Sequence, residues 1–340
     1  MSSSLMRYVA SQRDMLSSAA RYIALRQCDM FAFSKRDYEK ERATMNGFVY
    51  VDKPEGITSF VAVAKIRRIF GIKKVGHTGT LDPMATGVLP IAIGHATRFI
   101  ELIPSHDKAY RAKFILGKTT DTLDITGKVT GEYEVTCTKE DVRNILNDFR
   151  GEIEQIPPMY SAIKKDGVRL YDLARQGIEI ERESRKVNIH SIELISYFED
   201  TAEYEMDCEC SSGTYIRTLI ADIGEKLGCG ATMTSLRRTK ANGISIDRCY
   251  TFEELEKMRD EGNIESAVEG VDSLVVYDKI KVTAPQAKRF SNGGELDCGR
   301  FGGKKEPGYY NVYSPDDEFL GVGEIDENKT QLSVKRVFVR

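Results

Sequence analysis

Within Gly76–Pro90 a run of Gly, Thr and His surrounds a single carboxylate, Asp82, which Pro83 follows. Gly76, Gly79 and Gly87 permit sharp turns and close approach of backbone to a ligand. Pro83 biases Asp82 away from helical backbone and is itself suited to the first position of a helix. The reading is a loop-to-helix junction that holds the Asp82 carboxylate in one direction. From residue 56 to residue 81 the chain carries Lys65, Arg67, Arg68, Lys73 and Lys74 and no acid. A lone, positioned carboxylate beside a basic run suits chemistry on a polyanion. Plainer readings compete. Asp ahead of Pro is a good helix N-cap, and on local grounds capping is the stronger reading. No Lys-Ser or Lys-Thr follows the glycines, so the stretch is not a P-loop. His77 taken alone reads as a packing or hydrogen-bonding histidine.

Further candidates are Tyr110, Asp124, Tyr215 and Arg217, all in loops or at strand ends, where function concentrates on a rigid scaffold. Arg217 suits Asp82 as a partner, because an arginine keeps a buried carboxylate ionised and fixes it by a bidentate bond. The alternative for Arg217 is a solvated residue in a first helical turn, although a cation there opposes the helix dipole. For Tyr110 and Tyr215 the alternative is core packing, and for Asp124 it is a turn-stabilising side chain.

The elements that must position these residues follow from periodicity. Gly47–Val51 is a short apolar strand that runs into a turn at Asp52–Gly56. Thr58 or Ser59 caps a helix, Val61–Phe70, with an apolar face that includes Val61, Ala64 and Ile69, and Gly71 ends it. After the Asp82 loop come a strand, Val88–Ile93, and a short helix, Ala96–Ile103. Lys108–Leu116 alternates as a half-buried strand does, and residues 119–127 form a polar loop. Thr138 with Asp141 makes a capping box for a helix reaching Phe149, and another helix spans Leu170–Gln176. Strands cover 186–197 and 203–210, the second placing Tyr204, Met206, Cys208 and Cys210 on one face. Gly213–Arg217 feeds an amphipathic helix ending near Lys226, and a charged helix covers 252–260. From Tyr277 onward short segments broken by Gly, Pro and Asn predict a small all-β domain.

A chain of 340 residues can hold more than one domain, and 41% hydrophobic with 30% charged residues is ordinary for a globular protein. The net charge of −3 neither signals nor excludes a nucleic-acid partner, because binding depends on local clusters. No apolar run approaches the roughly 20 residues needed to span a bilayer. The 7 cysteines include no CxxC pair and read as the reduced thiols of a cytoplasmic protein. The 4 histidines do not supply metal-ligand spacing, and no metal is expected. Residues 1–44 lack the apolar region of a signal peptide, and Asp14, Asp29, Asp37, Glu39 and Glu41 weaken a transit-peptide reading. They are expected to be a tail, disordered or left by an upstream start, ahead of a fold that begins at Met45.

Six motifs occur in a fixed order: Lys53-Pro54-x-Gly56-x-x-Ser59, Gly76-His77-Thr78-Gly79-Thr80-Leu81-Asp82-Pro83, Lys108-Ala109-Tyr110-Arg111, Thr120-Asp121-Thr122-x-Asp124-x-x-Gly127, Pro157-Pro158-Met159-Tyr160-Ser161-Ala162 and Gly213-Thr214-Tyr215-Ile216-Arg217-Thr218. Together they resemble the TruB family of tRNA pseudouridine synthases, from about Met45 to the C-terminus. The resemblance implies isomerisation of the T-loop uridine 55 of tRNA to pseudouridine without a cofactor. The glycosidic N1–C1′ bond breaks, the uracil turns, and C5 joins C1′. Such chemistry needs a carboxylate at the sugar, the nucleotide out of its stack, a platform for the detached base, and exclusion of water.

By the same resemblance Asp82 is the catalytic aspartate, and Tyr110 stacks on the uracil and assists loss of the C5 proton. Arg217 pairs with Asp82, Tyr215 and Leu236 line the pocket, and His77 fills the space left by the flipped base. Lys53 and Asp124 support the site or the RNA. The implied fold is α+β, with a mixed, mainly antiparallel sheet flanked by helices over residues 45–276 and a PUA-like all-β barrel over 277–340. Lys65, Arg67, Lys73, Lys74, Lys164, Lys165 and Arg237 are candidate contacts to the RNA backbone; the alternative for each is a solvated surface charge. The expected partner is the tRNA T-arm, bound by a monomer with no guide RNA, no metal and no membrane. Two alternatives stay open: a guide-RNA-dependent synthase of the dyskerin kind, and a tRNA-binding or folding module whose catalysis is incidental.

Overall fold

The computed structural model describes residues 45–161, 163–165, 167–301, 306–328 and 330–338; the expectation for residues 1–44 lies outside them. Its strands run in chain order as β1 (Gly47–Lys53), β2 (Val75–His77), β3 (Thr86–Ile93), β4 (Lys108–Leu116), β5 (Lys118–Thr120), β6 (Val129–Glu132), β7 (Gly151–Gln155), β8 (Lys164–Lys165), β9 (Val168–Arg169), β10 (Arg185–Phe198), β11 (Glu203–Cys210), β12 (Ala231–Ala241) and β13 (Ile244–Ser245). Then follow β14 (Asp278–Lys281), β15 (Leu296–Asp297), β16 (Gly308–Tyr313), β17 (Phe319–Ile325) and β18 (Gln331–Val337). The α-helices are α1 (Ser59–Phe70), α2 (Lys139–Ile145), α3 (Leu170–Arg175), α4 (Ile216–Lys226), α5 (Phe252–Asp260) and α6 (Ala284–Ser291).

The larger sheet has 9 strands in the order β1-β3-β12-β4-β11-β10-β7, with β2 beside β3 and β13 beside β12. Every pairing in it is antiparallel except β3 with β12. β3 reads as a continuous apolar run because both of its faces are covered. Leu89, Ile91 and Ile93 pack toward α1 and α5, whereas Val88 and Ala92 meet Phe99, Val275 and Val322 on the other side. β11 instead alternates, burying Tyr204, Met206, Cys208 and Cys210 under Leu219, Ile220 and Ile223 of α4. The described cysteines are free thiols, and Cys137 and Cys229, far apart in sequence, lie 3.9 Å apart at sulfur.

The C-terminal sheet has 5 strands in the order β14-β16-β17-β18-β15, the PUA-like unit. Ile280, Val282, Phe290, Val312, Ile325 and Leu332 form its core. Phe99 of the larger unit packs against Phe319 and Phe338 with ring centroids 5.9 and 6.0 Å apart, and Tyr277 donates its hydroxyl to the Leu102 carbonyl at 2.8 Å.

Several local expectations need correction. Pro83 and Met84 form a turn, closed by the Ala85 amide donating to the Asp82 carbonyl at 3.1 Å, and no helix follows. Proline fits the second position of such a turn as well as it fits a helix start. The buried face of α1 is Ala62, Val63, Ile66, Ile69 and Phe70, with Val61 and Ala64 exposed. In a nearly continuous apolar run the helical phase is set by what the sheet covers. Thr58, not Ser59, caps α1, and Gly71 closes it with φ of 68°. Gly94–Leu102 and Leu146–Phe149 are 3-10 turns where regular helix was expected. The C-terminal unit also holds a helix, α6, begun by a Thr283–Gln286 capping box with proline in its first turn.

Candidate active site

The Asp82 loop spans the gap between β2 and β3, and the Lys53-Pro54-x-Gly56-x-x-Ser59 segment grips it. The Lys53 ammonium, wholly buried, donates to the carbonyls of Pro54 and Ile57 at 2.8 Å and of Pro83 at 3.4 Å. The Gly56 amide, on a backbone with φ of +83°, donates to the same Pro83 carbonyl at 2.9 Å. Ser59 Oγ accepts from the Leu81 amide at 2.8 Å and donates to the Leu81 carbonyl at 3.1 Å. Leu81 itself is buried in the core with Ala85, Tyr110 and Leu236. Asp82 is thereby held by bonds to both of its neighbours while its own carboxylate stays partly exposed.

Arg217 supplies the counter-charge. Its guanidinium lies 2.9 Å from the Asp82 carboxylate and 3.6 Å from that of Asp124. It also donates to the Thr122 carbonyl at 3.0 Å and the Tyr160 carbonyl at 2.9 Å. Arg217 is buried in the first turn of α4, not solvated as its local alternative held. Three sequence motifs therefore meet at one side chain. Asp124 accepts from the Thr122 hydroxyl at 2.8 Å and from the Thr126 amide at 3.0 Å, as a turn-stabilising side chain does, and it also faces Arg217. Tyr215 opens α4 as its N-cap, and its amide and carbonyl are bonded by Gln155.

Tyr110 of β4 is buried beside Leu236. Burial pushes its phenol up to about 12, so it is a neutral phenol at neutral pH, better suited to stacking than to taking a proton. Burial, and then the Arg238 charge, hold the His77 imidazole below its usual range, so it too is neutral.

The comparisons with known proteins agree along the whole described chain. Residues 67–216 match the TruB family pseudouridylate synthase N-terminal domain, 217–276 the tRNA pseudouridylate synthase B C-terminal domain, and 279–338 the pseudouridine synthase II TruB C-terminal domain. The chain is 44% identical over 291 residues to tRNA pseudouridine synthase B of Clostridium perfringens, covering 85% of this chain and 98% of the relative.

The chain belongs to the TruB family.

A second TruB-family relative, tRNA pseudouridine synthase B of Clostridium tetani, is 47% identical over 282 residues, covering 82% of this chain and 96% of its own. Among solved structures, a Cbf5-Nop10-Gar1 complex matches with a TM-score of 0.67 at 24% identity, covering 89% of this chain and 87% of that one, a likeness of fold.

Around this TruB-family site the basic residues divide. Lys73 and Lys74 are exposed on the loop between α1 and β2. Lys65 lies over the Phe252 ring at 4.7 Å, and Arg67 reaches the Val75 carbonyl at 3.4 Å. Lys164 and Lys165 form β8. Arg237 is already engaged, bound through both terminal nitrogens to Asp52 at 3.1 and 2.7 Å. Its neighbour Arg238, which the sequence reading passed over, is completely buried beneath the Asp82 loop. Strand alternation places adjacent residues on opposite faces, but it does not say which face is covered.

Proposed function

We propose that the protein is a tRNA pseudouridine synthase that isomerises uridine 55 of the T-loop, with Asp82 as the catalytic carboxylate. The observation that carries this reading is the buried Arg217 pairing with an Asp82 whose carboxylate remains open. Attack at C1′, attack on the base and proton removal from the sugar all require an ionised, oriented carboxylate at that position, and the ion pair supports each. Tyr110 offers a flat, uncharged platform for the uracil, with Leu236 at its side. Tyr215 and His77 complete the pocket in this reading, and Lys53 and Asp124 brace it. The apolar walls around Leu81 and Leu236 exclude water, so the detached base rejoins the sugar instead of being lost to hydrolysis.

The relatives named tRNA pseudouridine synthase B support tRNA as the substrate. In this reading residues 45–276 form the catalytic domain and 277–340 the PUA-like unit that grips the T-arm. The enzyme acts as a cytoplasmic monomer without guide RNA or cofactor.

The test is tritium release from C5-labelled uridine in an unmodified T-arm transcript, wild type beside Asp82→Ala, with no added metal, nucleotide or accessory protein. Release by the wild type alone is expected. No release from either points to a guide-dependent enzyme, and release from both removes Asp82 from the chemistry.

A further inference from the structure

Arg238 lies on β12 directly across from Tyr110 on β4, and on its other side from Gly87 on β3. Side chains opposite one another on paired strands share a face, so Arg238 and Tyr110 project together beneath the Asp82 loop. Arg238 Nε donates to the Val88 carbonyl at 2.7 Å. Its terminal nitrogens donate to the carbonyls of Thr80 at 3.3 Å and Gly79 at 3.4 Å. Tyr110 faces the same side chain across the β4–β12 pairing. One side chain thus ties the chain before Asp82 to the chain after it, on the strand position that faces Tyr110.

The backbone is shaped for this contact. Gly87 has φ of +101°, and a Cβ there would fall 2.1 Å from the Arg238 carbonyl oxygen. Among the described ion pairs Arg238 has no carboxylate partner; its described hydrogen bonds go to the backbone carbonyls of Val88, Thr80 and Gly79. Burying a guanidinium on neutral acceptors carries a large desolvation cost. A lysine could offer the charge but not the planar fork that reaches several acceptors at once. If the loop needed only filling, an apolar side chain would serve.

We propose that Arg238 is a positioning residue for the reaction, registering the loop that carries Asp82 against the ring of Tyr110. This rests on the roles given above to Asp82 and Tyr110. On that reading one group addresses the sugar and the other the base, and their separation must match the geometry of the bond being broken. Arg238 fixes that separation without touching the substrate.

The experiment compares Arg238→Lys and Arg238→Met with wild type, with Asp82→Asn, and with Leu255→Ala on the buried face of α5 as a destabilised control. Single-turnover pseudouridine formation on a T-arm transcript, transcript affinity by filter binding, and thermal midpoint are measured on each. Misplacement of reacting groups by about 1 Å costs on the order of 100-fold in rate. The Met variant is therefore expected to lose roughly that factor per folded molecule, and the Lys variant to fall between it and wild type, with affinity within about threefold. The Leu255→Ala control is expected to keep the wild-type rate while melting lower. If the Met variant fails to fold, the Lys variant alone decides. A Lys variant at the wild-type rate, or one whose rate and affinity fall in parallel, overturns the proposal. Full activity in Asp82→Asn removes the underlying site reading instead, whatever the Arg238 variants do.

Discussion

The Arg217 guanidinium lies 2.9 Å from the Asp82 carboxylate, and the two side chains differ sharply in exposure, at 6% and 39%. The cation sits in the protein wall and the anion stands at its surface. Such an arrangement fixes the carboxylate from behind through one oxygen and leaves the other outside the pair. Because Arg217 also holds the Thr122 and Tyr160 carbonyls, its fork joins three segments that have no other common partner among the described hydrogen bonds.

A lysine at position 217 keeps the charge but cannot reach all of these acceptors. Arg217→Lys is therefore expected to slow pseudouridine formation by about 100-fold while transcript affinity changes by less than about threefold. Single-turnover kinetics beside filter binding check this. Equal losses in both would make Arg217 an RNA contact and not the partner of Asp82.

Asp124 separates bracing from chemistry. Asparagine retains an oxygen to accept from the Thr126 amide and the Thr122 hydroxyl, but it gives up the charge that faces Arg217 at 3.6 Å. Asp124→Asn is expected to keep a measurable rate, reduced on the order of 10-fold, and to melt at a lower temperature, since a hydrogen bond to a charged group contributes about 1.5–3 kcal/mol. Tritium release as complete a blank as that of Asp82→Ala would show that the Asp124 charge is itself required by the chemistry and that Asp124 does more than brace the site.

What could be read from the sequence was the set of residues that meet substrate in the proposed reading, because their types and order are unusual. Asp82, Tyr110 and Arg217 stand out in the ordered motifs, Leu236 enters only through the family resemblance, and the fold brings Arg217 to Asp82 and places Leu236 in one core with Tyr110. The scaffold beneath them was not legible. Lys53 contacts Pro83 across 30 residues and Arg238 contacts Val88 across 150, and no local pattern encodes such a pairing. Arg237 enters the RNA-binding expectation as a basic residue, and its pairing with Asp52 could not be read from its charge. Once β12 lies between β3 and β4, one arginine is driven under the loop and the other pairs with Asp52. The turn at Pro83 and the helix α6 failed for a simpler reason. Proline opens turns and helices alike, and the following element decides between them.

Lys53 gives the bracing a pH signature. Burial holds its amine at about 8, below the ordinary 10.5, although the Asp82 charge pulls the other way. Between those values the unfolded chain binds a proton that the folded chain has released, so the group's contribution to stability rises with pH across that window. Below it both states carry the proton, and the burial penalty is fully present. Wild type should therefore gain stability relative to Lys53→Met when denaturation is compared at about pH 7.5 and about pH 9.5. A difference that stays constant, or shrinks, contradicts a buried, depressed amine.

The exposed and the engaged cations should also part company with salt. Lys73 and Lys74 are exposed, so each is available to neutralise a phosphate and release its counterion. Replacing both by alanine is expected to flatten the plot of log affinity against log salt by about 0.7 to 0.9 per lost contact. The single-turnover rate at saturating enzyme should be unchanged, because neither residue touches the Asp82 loop in the described contacts. Arg237 is already spent on Asp52. Arg237→Ala should leave the salt slope as it is and lower the thermal midpoint, since it strands the Asp52 carboxylate between β1 and β12. Filter binding across a salt series, with melting curves alongside, measures both effects. A flattened slope in Arg237→Ala would mean that RNA displaces Asp52 from the arginine on binding, and the surface around the Asp52–Arg237 pair would then belong to the RNA interface.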